Sequence, residues 1–230
     1  RSLLAGDFLR TSVFHRLQAG SYPENARSRL TRPLRGCAVG GRRFWCNASM
    51  SSTWLHPRED LVRTMSRIYR YRMTTTSGGN LSVRDADGSI WITPSRVDKG
   101  SLTPEDVVRV LPDGTREGRH PPSSEFPFHR EIYRARPDFG AIVHAHPGSL
   151  VAFSVCRILP ELTVHAHGFE VCQKVALARY ACPGSEELGA NIAAAFADGA
   201  MCVILENHGV VIGGHDLADA FQRFETLEFV

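Results

Sequence analysis

From His56 onward, apolar residues recur at a spacing that places them on one face of a helix. Leu61, Met65 and Ile68 follow this spacing, and Pro57 stands where a first helical turn tolerates proline. The same periodicity, together with capping residues and prolines at the ends, predicts three further helices. These are residues 126–135, the segment from the Ser185 cap to about 197, and residues 216–230.

Shorter apolar runs bounded by turn residues predict strands between these helices. One pair flanks the turn Asp85-Ala86-Asp87-Gly88, and Pro147 ends another strand abruptly. Helices and strands alternate without the strict rhythm of a parallel sheet, so we predict an α/β domain layered around a mixed sheet. The predicted strands are residues 80–84, 89–93, 107–111, 141–146, 201–206 and 210–212.

The composition is that of a globular protein, and the charge is distributed unevenly along the chain. Of 230 residues, 43% are hydrophobic and 22% are charged, and no apolar stretch is long enough to predict a transmembrane helix. Residues 1–50 hold nine arginines, no lysine and two acidic residues, which is a formal charge of +7. The rest of the chain therefore carries −4 within the total of +3. We expect neither a nucleic-acid partner nor a membrane partner for residues 51–230.

Residues 1–50 resemble a transit peptide, because they are rich in Arg and Ser, poor in acids and without the apolar core of a secretion signal. We predict a disordered or targeting-like arm there, and a globular domain at 51–230 whose last helix is truncated. Six cysteines without a C-x-x-C pair favour a reducing compartment. The predicted location is the cytoplasm, or the mitochondrion if the arm is a transit peptide.

Two histidines at the end of a predicted strand are the first candidates for chemistry. His144 and His146 are two positions apart, so a strand directs both to one face. Neutral imidazoles bind Zn²⁺, and His208, beside Gly209, is the candidate third ligand. Three histidines with one open position are typical of catalytic zinc, and the alternative is histidines of the core or surface without a metal.

A second pair, His165 and His167, has the same spacing after Leu162-Thr163-Val164. Spacing alone does not decide which pair holds a metal. The longer apolar strand before His144, ended by Pro147, favours the first pair.

Glu125 follows two serines at the start of a predicted helix. The serines are candidates for capping the helix or holding an anion, and Glu125 is a candidate general acid or base. An ordinary N-terminal turn with a favourable carboxylate explains the pattern equally well. The loop Ser77-Gly78-Gly79-Asn80 has the composition of a phosphate-binding loop, although a simple turn is the commoner meaning of such a sequence.

Five short motifs occur in order along the chain, namely Thr76–Arg84, Ile92–Ser95, Pro122–Glu125, Val143–His146 and Glu206–Gly209. Together they resemble the class II aldolase/adducin family, which includes fuculose-phosphate aldolase and ribulose-phosphate 4-epimerase. The resemblance covers about residues 56–230 and excludes the arm.

The resemblance implies a three-layer α/β/α fold with a central mixed, largely antiparallel sheet. It implies a divalent metal, usually zinc, bound by His144, His146 and His208, with Glu125 as the acid/base group. It also implies a homotetramer with sites at subunit interfaces. The residues implied to hold a substrate phosphate are Gly79, Asn80, Ser95, Ser123 and Ser124.

The function implied by the resemblance is a metal-dependent lyase of the aldolase type. It would cleave or form a C–C bond in a small phosphorylated sugar or sugar acid through a zinc-stabilised enediolate. The alternatives are a decarboxylase, dehydratase or epimerase of the same family, or a non-catalytic adducin-like binding protein. The presence of all three histidines and Glu125 favours an enzyme.

Two departures from the family pattern leave the reaction subtype open. Arg96 stands where a glycine often follows the phosphate-loop Thr or Ser. The loop after the His-x-His strand reads Thr163-Val164-His165-Ala166-His167, without the tyrosine that aldolases carry there as a presumed acid.

Overall fold

A computed structural model of the chain describes residues 55–230, so the predicted arm at 1–50 lies outside the described residues. One mixed sheet of eight strands runs through this part, in the order β4-β3-β2-β1-β5-β8-β7-β6. The strands are Asn80–Arg84 (β1), Ile90–Ile92 (β2), Val108–Val110 (β3), Arg116–Glu117 (β4), Ala141–Ala145 (β5), Val175–Ala178 (β6), Cys202–Leu205 (β7) and Gly209–Gly214 (β8).

Every neighbouring pair in the sheet is antiparallel except β6 and β7. Helices flank the sheet, which confirms the predicted α/β class with a mixed, largely antiparallel sheet and is consistent with three layers. The helices are Pro57–Arg70 (α1), Phe126–Ala135 (α2), Gly148–Cys156 (α3), Gly168–Cys172 (α4), Glu186–Ala197 (α5) and Leu217–Phe229 (α6).

The predicted helices form where their periodicity and caps place them. Leu61, Met65 and Ile68 of α1 are fully buried, as their shared face requires. The Ser185 side chain accepts the backbone N–H of Leu188 at 3.1 Å and so caps α5.

Four elements have no counterpart in the predicted set, and each lacks a periodic pattern. Helix α3 reads GSLVAFSVC, which is apolar on nearly every side. Helix α4 is a single turn, β4 has two exposed residues, and β6 is a four-residue apolar run at the parallel edge. Short, uniformly apolar or exposed segments carry no amphipathic signal, so periodicity does not detect them.

The centre of the sheet positions the chemistry. All five residues of β5 are buried, and β1 and β8 pair with it on either side. Asn80 stands opposite His144 in the register of β1 and β5. Within residues 55–230, no helix is both long enough and apolar enough to cross a membrane.

Candidate metal and catalytic site

Three histidines from two separate segments meet at one end of the central strands. His144 is fully buried on β5, His146 follows that strand, and His208 lies in the turn between β7 and β8. Their ring centroids form a nearly equilateral triangle with sides of 4.8, 4.9 and 4.9 Å. One nitrogen of each ring lies within 4.8 Å of the others.

The hydrogen bonding of His144 selects which of its nitrogens faces the other rings. Its Nδ1 lies 2.9 Å from the carbonyl oxygen of Val210, and only a protonated Nδ1 can donate there. Its Nε2 then faces Nε2 of His146 at 3.1 Å. Two nitrogens bound to one tetrahedral zinc ion stand roughly 3.4 Å apart, so this spacing fits a shared cation.

The protonation of two of the three histidines also fits a metal. Burial, reinforced by the charge of His144, lowers the pKa of His146 to about 3 and that of His208 to about 4. Both rings are therefore neutral near pH 7, which is the state that binds metal. Burial alone would lower the pKa of His144, but the Glu125 carboxylate raises it above its usual value.

Two glycines allow the rings to approach the backbone. A Cβ on Gly78 would stand 2.7 Å from Nδ1 of His146. A Cβ on Gly209 would stand 2.6 Å from both the Ala145 carbonyl oxygen and Cδ2 of His146. Side chains at either position would displace the ring or the strand end.

Glu125 lies beside the histidines as the N-cap residue of α2 and is 9% exposed. Its Oε2 is 3.2 Å from Nε2 of His144, and its Oε1 is 3.6 Å from Nε2 of His208. Oε2 also accepts a hydrogen bond from Nδ2 of Asn80 at 2.7 Å. Burial alone would raise the pKa of Glu125, but His144, His208 and Asn80 hold it well below its usual range.

A cavity of about 130 Å³ opens beside Glu125, His146 and His208. The two serines before Glu125 line this cavity, and the Ser123 hydroxyl accepts the backbone N–H of Glu125 at 3.3 Å. They do not occupy the N-cap position, which belongs to Glu125 itself. All the predicted phosphate-binding residues line the cavity, namely Gly79, Asn80, Ser95, Ser123 and Ser124.

The family model described as Class II Aldolase and Adducin N-terminal domain matches residues 59–230. The chain belongs to the class II aldolase and adducin family. This confirms the resemblance stated from the five motifs.

Relatives of this class II aldolase/adducin chain cover most of the described region. L-fuculose phosphate aldolase of Methanococcus maripaludis is 34% identical over 173 residues, which are 74% of this chain and 92% of that protein. The 3-oxo-tetronate 4-phosphate decarboxylase of Escherichia coli K12 is 31% identical over 175 residues, which are 74% and 82% of the two chains. A solved structure of L-fuculose 1-phosphate aldolase matches with a TM-score of 0.68 at 32% identity. The match covers 75% of this chain and 82% of that chain. These relatives are enzymes, which supports the predicted class of enzyme.

Lys99 lines the cavity of this class II aldolase/adducin domain, and the sequence patterns did not single it out. The residue is only 3% exposed, and its Nζ donates to the carbonyl oxygen of Pro94 at 2.7 Å. Burial lowers the pKa of Lys99 to about 8, against the opposing charges of Glu125 and Asp98. The signal was weak because Lys99 stands in a polar loop, where lysine is usually solvated.

Arg96 also lines the cavity and has a positive φ of 59°, a conformation that favours glycine. Its side chain has no hydrogen bond or ion pair to another residue of the described region. An arginine kept in a strained backbone conformation at a cavity is a feature to explain by function.

The second His-x-His pair is not part of this site. His165 and His167 are exposed, their ring centroids are 6.2 Å apart, and neither lines the cavity. Nδ1 of His167 lies 3.8 Å from a carboxylate oxygen of exposed Glu170.

Proposed function

We propose that the chain is a metal-dependent lyase that cleaves or forms a C–C bond in a small phosphorylated sugar or sugar acid. The observation that carries this proposal is the contact of Glu125 with two members of the histidine triad at the wall of one cavity. A proton-transfer group, a metal-ligand set and an anion pocket are the three parts that such a reaction needs.

His144, His146 and His208 would hold the divalent cation, which we propose is zinc. Support comes from the neutral state of His146 and His208 and from the bond that turns Nε2 of His144 toward them. When bound, the ion would supply the positive charge that stabilises the anion left when a bond next to a carbonyl breaks.

Glu125 would move the proton at the substrate carbon. The carboxylate is ionised near neutral pH, because its neighbours hold its pKa below the usual range, and it therefore accepts a proton. It lines the cavity, and the Asn80 hydrogen bond at 2.7 Å restricts its rotation.

Lys99 and the serine hydroxyls would bind the phosphate end of the substrate. An ammonium has three donors, and the contact with Pro94 uses one of them. A buried amine that lines a cavity is a stronger partner for a phosphate than a solvated surface lysine. Gly79, Asn80, Ser95, Ser123 and Ser124 surround the same space.

The test combines Glu125→Gln with a panel of ketose 1-phosphates. We expect the zinc-loaded parent protein to release dihydroxyacetone phosphate from at least one of them, as measured in a coupled assay. Glu125→Gln should keep about one zinc per chain but lose about 10²- to 10⁴-fold in kcat. The control is Glu131→Gln on the same helix, because Glu131 pairs with Arg134 instead of facing the cavity. Full activity of Glu125→Gln would remove its acid/base role, and no release of dihydroxyacetone phosphate by a zinc-loaded parent would overturn the aldolase reaction.

Decarboxylation of a 3-oxo sugar-acid phosphate is the second candidate reaction. It is favoured by the decarboxylase relative and by residues 163–167, which lack the tyrosine of the aldolases. Arg96, at the cavity without a partner in the described region, would suit a substrate carboxylate. Release of CO₂ from such an acid, without aldehyde formation from ketose 1-phosphates, would select this reaction.

We propose a homotetramer from the family resemblance, which light scattering would test. We propose a cytoplasmic location from the cysteine pattern. Mitochondrial import remains the prediction if residues 1–50 act as a transit peptide.

A further inference from the structure

A buried row of polar side chains leads from the protein interior to Glu125. Oη of Tyr133 lies 2.9 Å from Oγ of Ser82, which lies 2.7 Å from Nδ1 of His129. Nε2 of His129 lies 2.5 Å from Oδ1 of Asn80, whose Nδ2 donates to Glu125 at 2.7 Å. None of these residues is more than 9% exposed, so each group depends on the next for its hydrogen bond.

Two periodicities of the sequence build this row. Glu125, His129 and Tyr133 are four residues apart, so α2 presents them on one face. Asn80 and Ser82 are two residues apart, so β1 directs both to the same side of the sheet. Polar side chains from the helix and from the strand therefore alternate along the row.

The chemistry of the groups assigns every donor in the row. Nδ2 of the Asn80 amide donates to Oε2 of Glu125, so the amide turns its Oδ1 toward His129. Oδ1 only accepts, so Nε2 of His129 must carry the proton. Burial lowers the pKa of His129 to about 3, so the neutral ring has a bare Nδ1 that accepts from Ser82. Ser82 in turn accepts from Tyr133, which gives a single direction from Tyr133 to Glu125.

Packing prevents the His129 ring from leaving this arrangement. Phe128 stacks on it at a centroid distance of 4.6 Å and an interplanar angle of 16°. The same phenylalanine meets the His144 ring edge to face at 5.5 Å. The row and the histidine triad therefore share one wall.

We propose that His129 is a positioning residue that fixes the Asn80 amide and, through it, the orientation of the Glu125 carboxylate. The catalytic consequence rests on the proposed role of Glu125 in proton transfer, whereas the direction of the hydrogen bonds does not. Without the donor on His129, the Asn80 amide can rotate, and the carboxylate loses the partner that limits its motion.

The first test reads the hydrogen-bond direction without any substrate. In zinc-loaded protein with ¹⁵N-labelled histidine, the His129 signal is assigned by its absence from His129→Gln. We expect Nε2 protonated and Nδ1 bare throughout pH 6 to 8. An Nδ1–H tautomer or an imidazolium in that range would overturn the proposal.

The second test compares two replacements of similar size. Gln can donate an N–H to Asn80, whereas Leu fills the space without a donor. We expect His129→Leu to keep its zinc and its KM within about twofold but to lose about 10- to 100-fold in kcat. His129→Gln should recover most of that loss. Equal losses in the two variants, or a loss in KM alone, would contradict a positioning role.

A third variant keeps the proposal testable if His129→Leu fails to fold. Ser82→Ala removes the donor to Nδ1 of His129 and the acceptor of the Tyr133 hydroxyl but leaves the imidazole in place, and we expect about a threefold to tenfold loss in kcat at unchanged KM. An unchanged kcat in Ser82→Ala would contradict the proposal that Ser82, His129 and Asn80 together orient Glu125. If the parent turns over no sugar phosphate, the proposed function fails, while the tautomer of His129 still decides the direction of the row.

Discussion

Two His-x-His pairs have the same spacing in this chain and opposite surroundings. His144 lies on a central strand with a neighbour on each side, His146 directly follows that strand, and their ring centroids are 4.8 Å apart. His165 and His167 follow a short 3₁₀ turn, are exposed, and have rings 6.2 Å apart. The spacing directs two side chains to one face only where the backbone is a strand, so the strand and not the spacing makes the first pair a candidate site.

Two other segments of the chain contribute side chains to the site of the first pair. The turn between β7 and β8 contributes His208, and the start of α2 contributes Glu125. The described residues around the second pair provide only Glu170, at 3.8 Å from Nδ1 of His167. A cluster that faces a cavity from several segments supports a function, whereas an exposed pair in one segment does not.

The largest contrast between the pairs is expected in metal content. His208→Ala removes one of three ligands and should reduce bound zinc from about one per chain to near zero, with loss of turnover. His165→Ala should bind as much zinc as the parent. Metal analysis after dialysis measures both. Undiminished zinc in His208→Ala, or loss in His165→Ala, would reverse the assignment of the pairs.

Two lysines extend the comparison to the anion pocket. Lys99 is buried at the cavity, whereas Lys174 pairs at 2.6 Å with Asp198, whose side chain is 80% exposed. We expect Lys99→Met to raise KM for a sugar phosphate by about 100-fold, because a charged hydrogen bond is lost, with a smaller change in kcat. Lys174→Met should leave KM unchanged. Steady-state kinetics of both variants separates the two outcomes, and equal KM values would remove Lys99 from the pocket.

The same contrast explains which features could be predicted from the sequence. The buried strand β5 follows from a short apolar run that Pro147 ends, and helix α2 follows from apolar periodicity; both position site residues. The burial of Lys99 and the partners of His129 depend on segments far away in the chain, such as Pro94 and Asn80. Local patterns do not encode those tertiary contacts. The sequence itself contains only the four-residue spacing of Glu125, His129 and Tyr133.

A buried histidine and an exposed one should differ in their effect on acid stability. The pKa of His129 is about 3 in the folded chain against 6.5 for an unperturbed histidine. Between these values the unfolded chain binds the extra proton, so stability is present above about pH 6.5 and falls as the pH decreases. From pH 7 to pH 5, the parent should lose about 2 kcal/mol of unfolding free energy more than His129→Gln does.

Denaturant unfolding of both proteins in a chelator, at several pH values, measures this difference. His165→Gln is the control at an exposed position, and its stability should follow the parent at each pH. Parallel profiles for the parent and His129→Gln would mean that His129 is not kept neutral by burial.

The smallest contrast uses two glycines near His146, one against its ring and one two residues after it in the chain. A Cβ at Gly78 would stand 2.7 Å from both Nδ1 of His146 and Oγ1 of Thr75, whereas a Cβ at Gly148 would meet no atom within 4 Å. Gly78→Ala should displace the imidazole and weaken zinc binding by about tenfold, as changes around metal ligands typically do. Gly148→Ala, at the first residue of α3, should bind zinc like the parent. Competition with a chromophoric chelator measures both affinities. Equal affinities would show that His146 can shift without cost to the metal, and the ligand set would then depend mainly on His144 and His208.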